Sequence, residues 1–150
     1  VVPAAERTYR RGRAAFATAS ARPTVEALHE WRKRVKDLWY HHRLLDAAWP
    51  PMMGAVASQA HALSELLGDD HDLAVLRERL RAGIALPPGA AADRDALVAL
   101  IDGRRAALQA RALSLGGRLY AERPGAFARR LGRWLAVAAE AHVAGEGGFR

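Results

Sequence analysis

Apolar residues recur at three- and four-residue intervals along most of the chain, and prolines and glycines cut this pattern into five helical stretches. Residues 4 to 20 (AAERTYRRGRAAFATAS) form the first, closed by Arg22-Pro23. The second starts at Thr24, a good N-cap, and runs to Trp49, where Pro50-Pro51 stops it. The third covers roughly 52 to 82, with a kink expected where Gly68 precedes Asp69 and Asp70. After the loop IALPPGAAA, a fourth extends from Asp93 to Glu122, loosened at Gly116-Gly117. The fifth starts at Pro124, a favoured first-turn residue, and ends before Gly145, leaving a frayed Gly-rich tail, AGEGGFR. No stretch alternates as a strand would, and no short repeat suggests a solenoid. The expectation is all-α: an antiparallel bundle of about five helices forming one domain over residues 1–150.

The second helix sorts its side chains most sharply. At about 100° per residue, Val25, Leu28, Trp31, Val35, Leu38, Trp39 and Leu45 gather on the side that faces the core. Beside them, within an arc of about 100°, come His29, Arg32, Lys33, Lys36, Tyr40 and Arg43, with no carboxylate among them. Glu26, Glu30 and Asp37 occupy the remaining face, where Glu30 reaches Arg34 and Lys33 leans toward Asp37. A solvated face ordinarily intersperses the two signs, so this strip reads as an edge kept positive. The first helix repeats the arrangement less strongly: Tyr9 and Phe16 face the core with Arg10 and Arg13 beside them, so the two strips are expected to line one groove. Arg7 and Arg11 face solvent.

Composition sharpens this picture. The net charge is +7 and the sequence pI about 10.9, the balance of a protein that meets polyanions. Nearly all the cations are arginine; the two lysines, Lys33 and Lys36, both fall on the strip. Cysteine is absent, which excludes disulfides and thiolate metal sites and agrees with a reducing compartment. No apolar run reaches the ~18 residues of a membrane span, and the start lacks the profile of a secretory signal, so a cytoplasmic setting is expected. The first residue is Val1 rather than methionine, as expected of a processed or excised portion.

LHEWRKRVKDLWY followed by ELLGDDHDLAVL resembles the paired signature of the CHAD family, the conserved histidine α-helical domain. Its members carry His-x-x-Arg-Lys-x-x-Lys on one helix and Leu-Leu-Gly-x-x-(Arg/His)-Asp-x-x-Val on the next. RLYAERPGAFARRLGRWL is similar to the family's closing helix pair. The resemblance implies binding of inorganic polyphosphate by basic residues and histidines lining a groove, without catalysis, and association with polyphosphate granules in some members. Carried over by position, His29, Arg32, Lys33 and Lys36 match the first signature, and Gly68, His71 and Asp72 the second. Many members have arginine where this chain has Trp39, a cation that His41, His42 or Arg43 would replace. The chain resembles the second half of a complete two-half domain, so the groove is expected to be open or completed by a second copy.

The chemistry suits a phosphate thread: arginine grips two oxygens, while lysine supplies a compact charge that tolerates sliding. Bound phosphate favours protonated imidazole, which predicts tighter binding as pH falls toward about 6 through His29 and His71. Asp72 is expected to pair with an arginine and hold it in place. No metal or cofactor is expected, since Gly68-Asp69-Asp70-His71-Asp72 matches no standard metal loop. His41, His42, His61 and His142 read as structural or solvent-facing. Arg104, Arg111 and Arg118 recur every seven residues on the fourth helix, either extending the basic surface or as ordinary surface patterning. No nucleophile or acid/base pair marks an enzyme. The rivals are a general polyanion or nucleic-acid-binding module, disfavoured by the lack of aromatic platforms outside the apolar stripes, and a helical scaffold for partner assembly.

Overall fold

A computed structural model describes residues 1–83, 87 and 89–146. Its helices are α1 (Val2–Ala21), α2 (Val25–Leu44), α3 (Pro50–Arg81), α4 (Ala91–Leu119) and α5 (Pro124–Glu146), with a 3-10 turn at Asp46–Ala48. No strand occurs among the described residues, so the fold is the all-α bundle that the periodicity predicts. The loop at IALPPGAAA falls partly, and the last four residues of the tail wholly, outside the described residues.

Local chemistry sets most boundaries. The Thr24 side chain accepts the Ala27 N–H at 3.1 Å, and Arg22, extended ahead of Pro23, ends α1. Three expectations need correction. Helix α2 stops at Leu44 rather than Trp49, and Pro50-Pro51 opens α3 instead of merely closing α2, because a first turn needs no proline N–H. The turn between them tucks Ala48 into the core and sets Trp49 edge-on to Trp134 of α5, ring centroids 5.0 Å apart. The expected kink at Gly68 is absent: α3 runs unbroken through it, and Gly68 serves side-chain packing. Gly116-Gly117 likewise stays helical, since Gly116 is a buried notch filled by Trp31 and Phe16.

Cross-helix contacts fix an antiparallel order. His29 faces His71 and Trp39 faces His61 between α2 and α3. Asp70 meets Arg105, and Arg77 meets Asp102, between α3 and α4. Tyr9 of α1 stacks on Phe127 of α5 at 4.3 Å and donates its hydroxyl to the Leu119 and Glu122 carbonyls. One cluster of buried side chains draws on all five helices, including Tyr9, Trp31, Leu63, Ala112, Phe127 and Leu131. Tyr120, buried against Gly12, has its hydroxyl pushed well above the ordinary tyrosine value by burial and then by Tyr9 and Asp37.

His42 belongs to this core. It projects from the buried face of α2, with Nδ1 2.9 Å from the Leu38 carbonyl, which can only accept. It therefore cannot replace a cation on the strip. Burial holds its pKa below the ordinary value, helped by the positive charge of Arg130 on α5 and by His41, while the Leu38 bond opposes the shift. The unfolded chain thus binds a proton at His42 more readily than the folded one. This contribution to stability is complete above about pH 6.5 and declines as pH falls below it toward the depressed folded value. Urea melts should show the wild type losing more stability between pH 7.5 and pH 5 than a His42→Phe variant; equal losses would remove His42 as the cause.

Candidate functional site: the seam between α2 and α3

The outer side of the α2–α3 contact is a seam that gathers most of the strip. His29, Arg32, Lys36, Tyr40 and Arg43 follow one another along α2, a helix that rises about 5.4 Å per turn. From α3, His61, Ser64, Gly68 and His71 face them at matching intervals.

Arg32 is held in place by α3 and has no carboxylate partner among the described residues. Its Nε donates to the Ser64 carbonyl at 3.2 Å, and the guanidinium packs against Gly68, where an added Cβ would sit 3.3 Å from Nε and Nη2. The Leu-Leu-Gly motif therefore supplies a bare strip of helix on which a planar cation rests, with its remaining N–H groups available for an anion. Lys36 and Arg43 have no carboxylate partner among the described residues; the Arg43 guanidinium lies 5.7 Å from the centre of the Trp39 ring. The His29 and His71 rings stand 5.0 Å apart, and His71 Nδ1 is buried without a hydrogen-bond partner among the described residues.

Other expected members lie elsewhere. Lys33 pairs with Glu30 rather than Asp37, because Arg34 bridges Glu30 and Asp37 at 3.0 and 2.9 Å and leaves the second Glu30 oxygen to Lys33. Lys33 in turn holds the Glu30 carboxyl below its usual range. Arg10 pairs with Glu6 at 2.5 Å, and Arg13 donates to the Tyr120 carbonyl at 3.2 Å. Both line a recess with Phe16, Tyr120 and Pro124 that includes no residue of α2 or α3. The strips of α1 and α2 therefore do not share a groove, since the strip of α1 is turned toward the α4–α5 corner.

Asp72 is exposed and forms no ion pair among the described residues. The carboxylate that grips an arginine is Asp70, 3 % exposed in its side chain, which accepts from Arg105 Nε at 3.0 Å, Arg105 Nη2 at 3.3 Å and Gln109 Nε2 at 2.9 Å. Sequence reasoning missed this tie, although Asp70 lies three residues beyond buried Leu67 on the core-facing side of α3. Arg104, Arg111 and Arg118 do converge on one open groove between α3 and α4, but Glu65 and Asp69 share it. That groove mixes signs; on the α2–α3 seam Glu65 stands 3.9 Å from His61 Nδ1, but Arg32, Lys36 and Arg43 form no ion pair among the described residues.

Among the described residues no group of three or more carboxylate and imidazole ligands could hold a metal ion, and no helix is long and apolar enough to cross a membrane. The family model of the CHAD domain matches residues 2–81, which is α1 through α3. The resemblance read for residues 118–135 lies outside that match. No curated protein and no solved structure matches the chain.

Proposed function

The chain belongs to the CHAD domain family, and on that premise we propose that it binds inorganic polyphosphate along the α2–α3 seam, as a binder rather than an enzyme. The observation that carries this reading is the alignment of Arg32, Lys36 and Arg43 along one edge without a carboxylate partner among the described residues, flanked by the His29–His71 pair. An extended anion has donors on successive turns there, and the preset Arg32 loses little further freedom on binding. Association with polyphosphate granules is the cellular consequence we propose.

The test compares two triple variants with the same change in net charge. Replacing Arg32, Lys36 and Arg43 with glutamine should weaken binding of long-chain polyphosphate at least ~tenfold at low salt, with helicity intact, and should flatten the log–log salt slope by about 2, as for three lost phosphate contacts. Replacing Arg104, Arg111 and Arg118 with glutamine should cost much less. Equal losses would make the molecule a general electrostatic surface and overturn the assignment to the seam.

A further inference from the structure

Near the C-terminal end of α2, between Lys36 and Arg43, the seam carries aromatic rings. Trp39 stacks on Tyr40, with ring centroids 4.8 Å apart and an interplanar angle of 23°, and on His61 of α3 at 4.4 Å and 11°. Trp39 is half-buried, but its two partners are open: Tyr40 is 48 % exposed and the His61 side chain 49 %. The sequence reading found no stacking platform because Trp39 belongs to the apolar stripe and His61 lies on another helix. Tertiary packing makes the platform.

A bare phosphate chain has no use for exposed rings. A flat aromatic ligand does, since stacking on a half-exposed ring releases water from two apolar faces. The rings sit between Arg43 and Lys36, and from Tyr40 the cationic edge continues back to His29, eleven positions away, about 16 Å of helix. A single-stranded nucleic acid carries a base at every phosphate and would want platforms along the whole edge. One platform followed by a run of cations fits a phosphate chain that ends in a single base.

We propose that the seam accepts nucleoside oligophosphates, with the base on the Tyr40–Trp39–His61 rings and the phosphates directed along Lys36 and Arg32. This rests on the polyphosphate reading of the same seam and adds a ligand class to it. Stacking tolerates any base, so preference among bases is weak.

The experiment measures binding of ATP and of methyl triphosphate, which carries a matching triphosphate charge without sugar or base, at constant pH and ionic strength and without divalent metal. Long-chain polyphosphate serves as reference. ATP should bind about tenfold more tightly than methyl triphosphate, the size expected of one base stacked on an aromatic side chain. In a Tyr40→Leu, His61→Leu double variant of unchanged helicity, the ratio should fall to within about twofold. Equal affinities in the wild type, with polyphosphate still bound, would overturn the nucleobase proposal alone. Failure to bind polyphosphate as well would overturn the underlying reading. A preference for ATP that survives in the double variant would remove these rings as its source, and an oligonucleotide that displaces ATP at equal phosphate concentration would replace the proposal with strand binding.

Discussion

A Gly116→Ala variant should lose about 3 kcal/mol of stability, the upper end of the ~1–3 kcal/mol cost of overpacking, although alanine is normally the better helix residue. The reversal comes from Trp31. A methyl group at position 116 would fall inside the van der Waals envelope of the six-membered ring of Trp31 and 3.0 Å from Phe16 Cδ2. Trp31 is fully buried at the centre of the core and has nowhere to retreat. Gly103, on the same helix with nothing within 4 Å of an added Cβ, is the control: Gly103→Ala should stabilise by roughly 0.5–1 kcal/mol. Urea melts that show a lower midpoint at constant slope for the first and a higher one for the second would bear this out. Adding Trp31→Phe to Gly116→Ala should recover part of the loss. A neutral Gly116→Ala would mean that α4 does not approach Trp31 closely.

Asp70→Ala should cost about 3 to 5 kcal/mol, because it leaves the largely buried guanidinium of Arg105 without its counter-charge. The cost belongs to the abandoned cation more than to the lost pair. A buried ion pair forfeits much of its attraction to desolvation, so Asp70→Leu combined with Arg105→Met should recover most of the stability lost in Asp70→Ala. Equilibrium denaturation of the single and double variants separates the two contributions. If Asp70→Ala costs no more than about 1 kcal/mol, Arg105 reaches water readily and the pair behaves as a surface bridge. Polyphosphate affinity of the folded double variant should stay near wild type, since Asp70 and Arg105 face α4 and α3 and not α2.

Much of the architecture could be read from spacing. Leu28, Trp31, Val35 and Leu38 are buried as their helical phase requires, and His29, Arg32, Lys36, Tyr40 and Arg43 share the adjoining edge. Glycines are less legible. From sequence Gly68 and Gly116 read as weak points of their helices, whereas both are packing notches, one under Arg32 and one against Trp31. Local propensity cannot separate these roles, because a missing Cβ serves a bend and a close approach equally.

Charge divides along the same line. The sequence alone settled that the helices form and that α2 collects cations beside its apolar face, because both depend on the 3.6-residue repeat within one segment. Packing decided which cations stay available. It set Arg32 on Gly68, kept Arg10 and Arg13 beside Tyr120, tied Asp70 rather than Asp72 to an arginine, and joined Trp39 to His61. Those outcomes depend on which surfaces meet when the helices dock, and a periodicity within one helix carries no information about its neighbour.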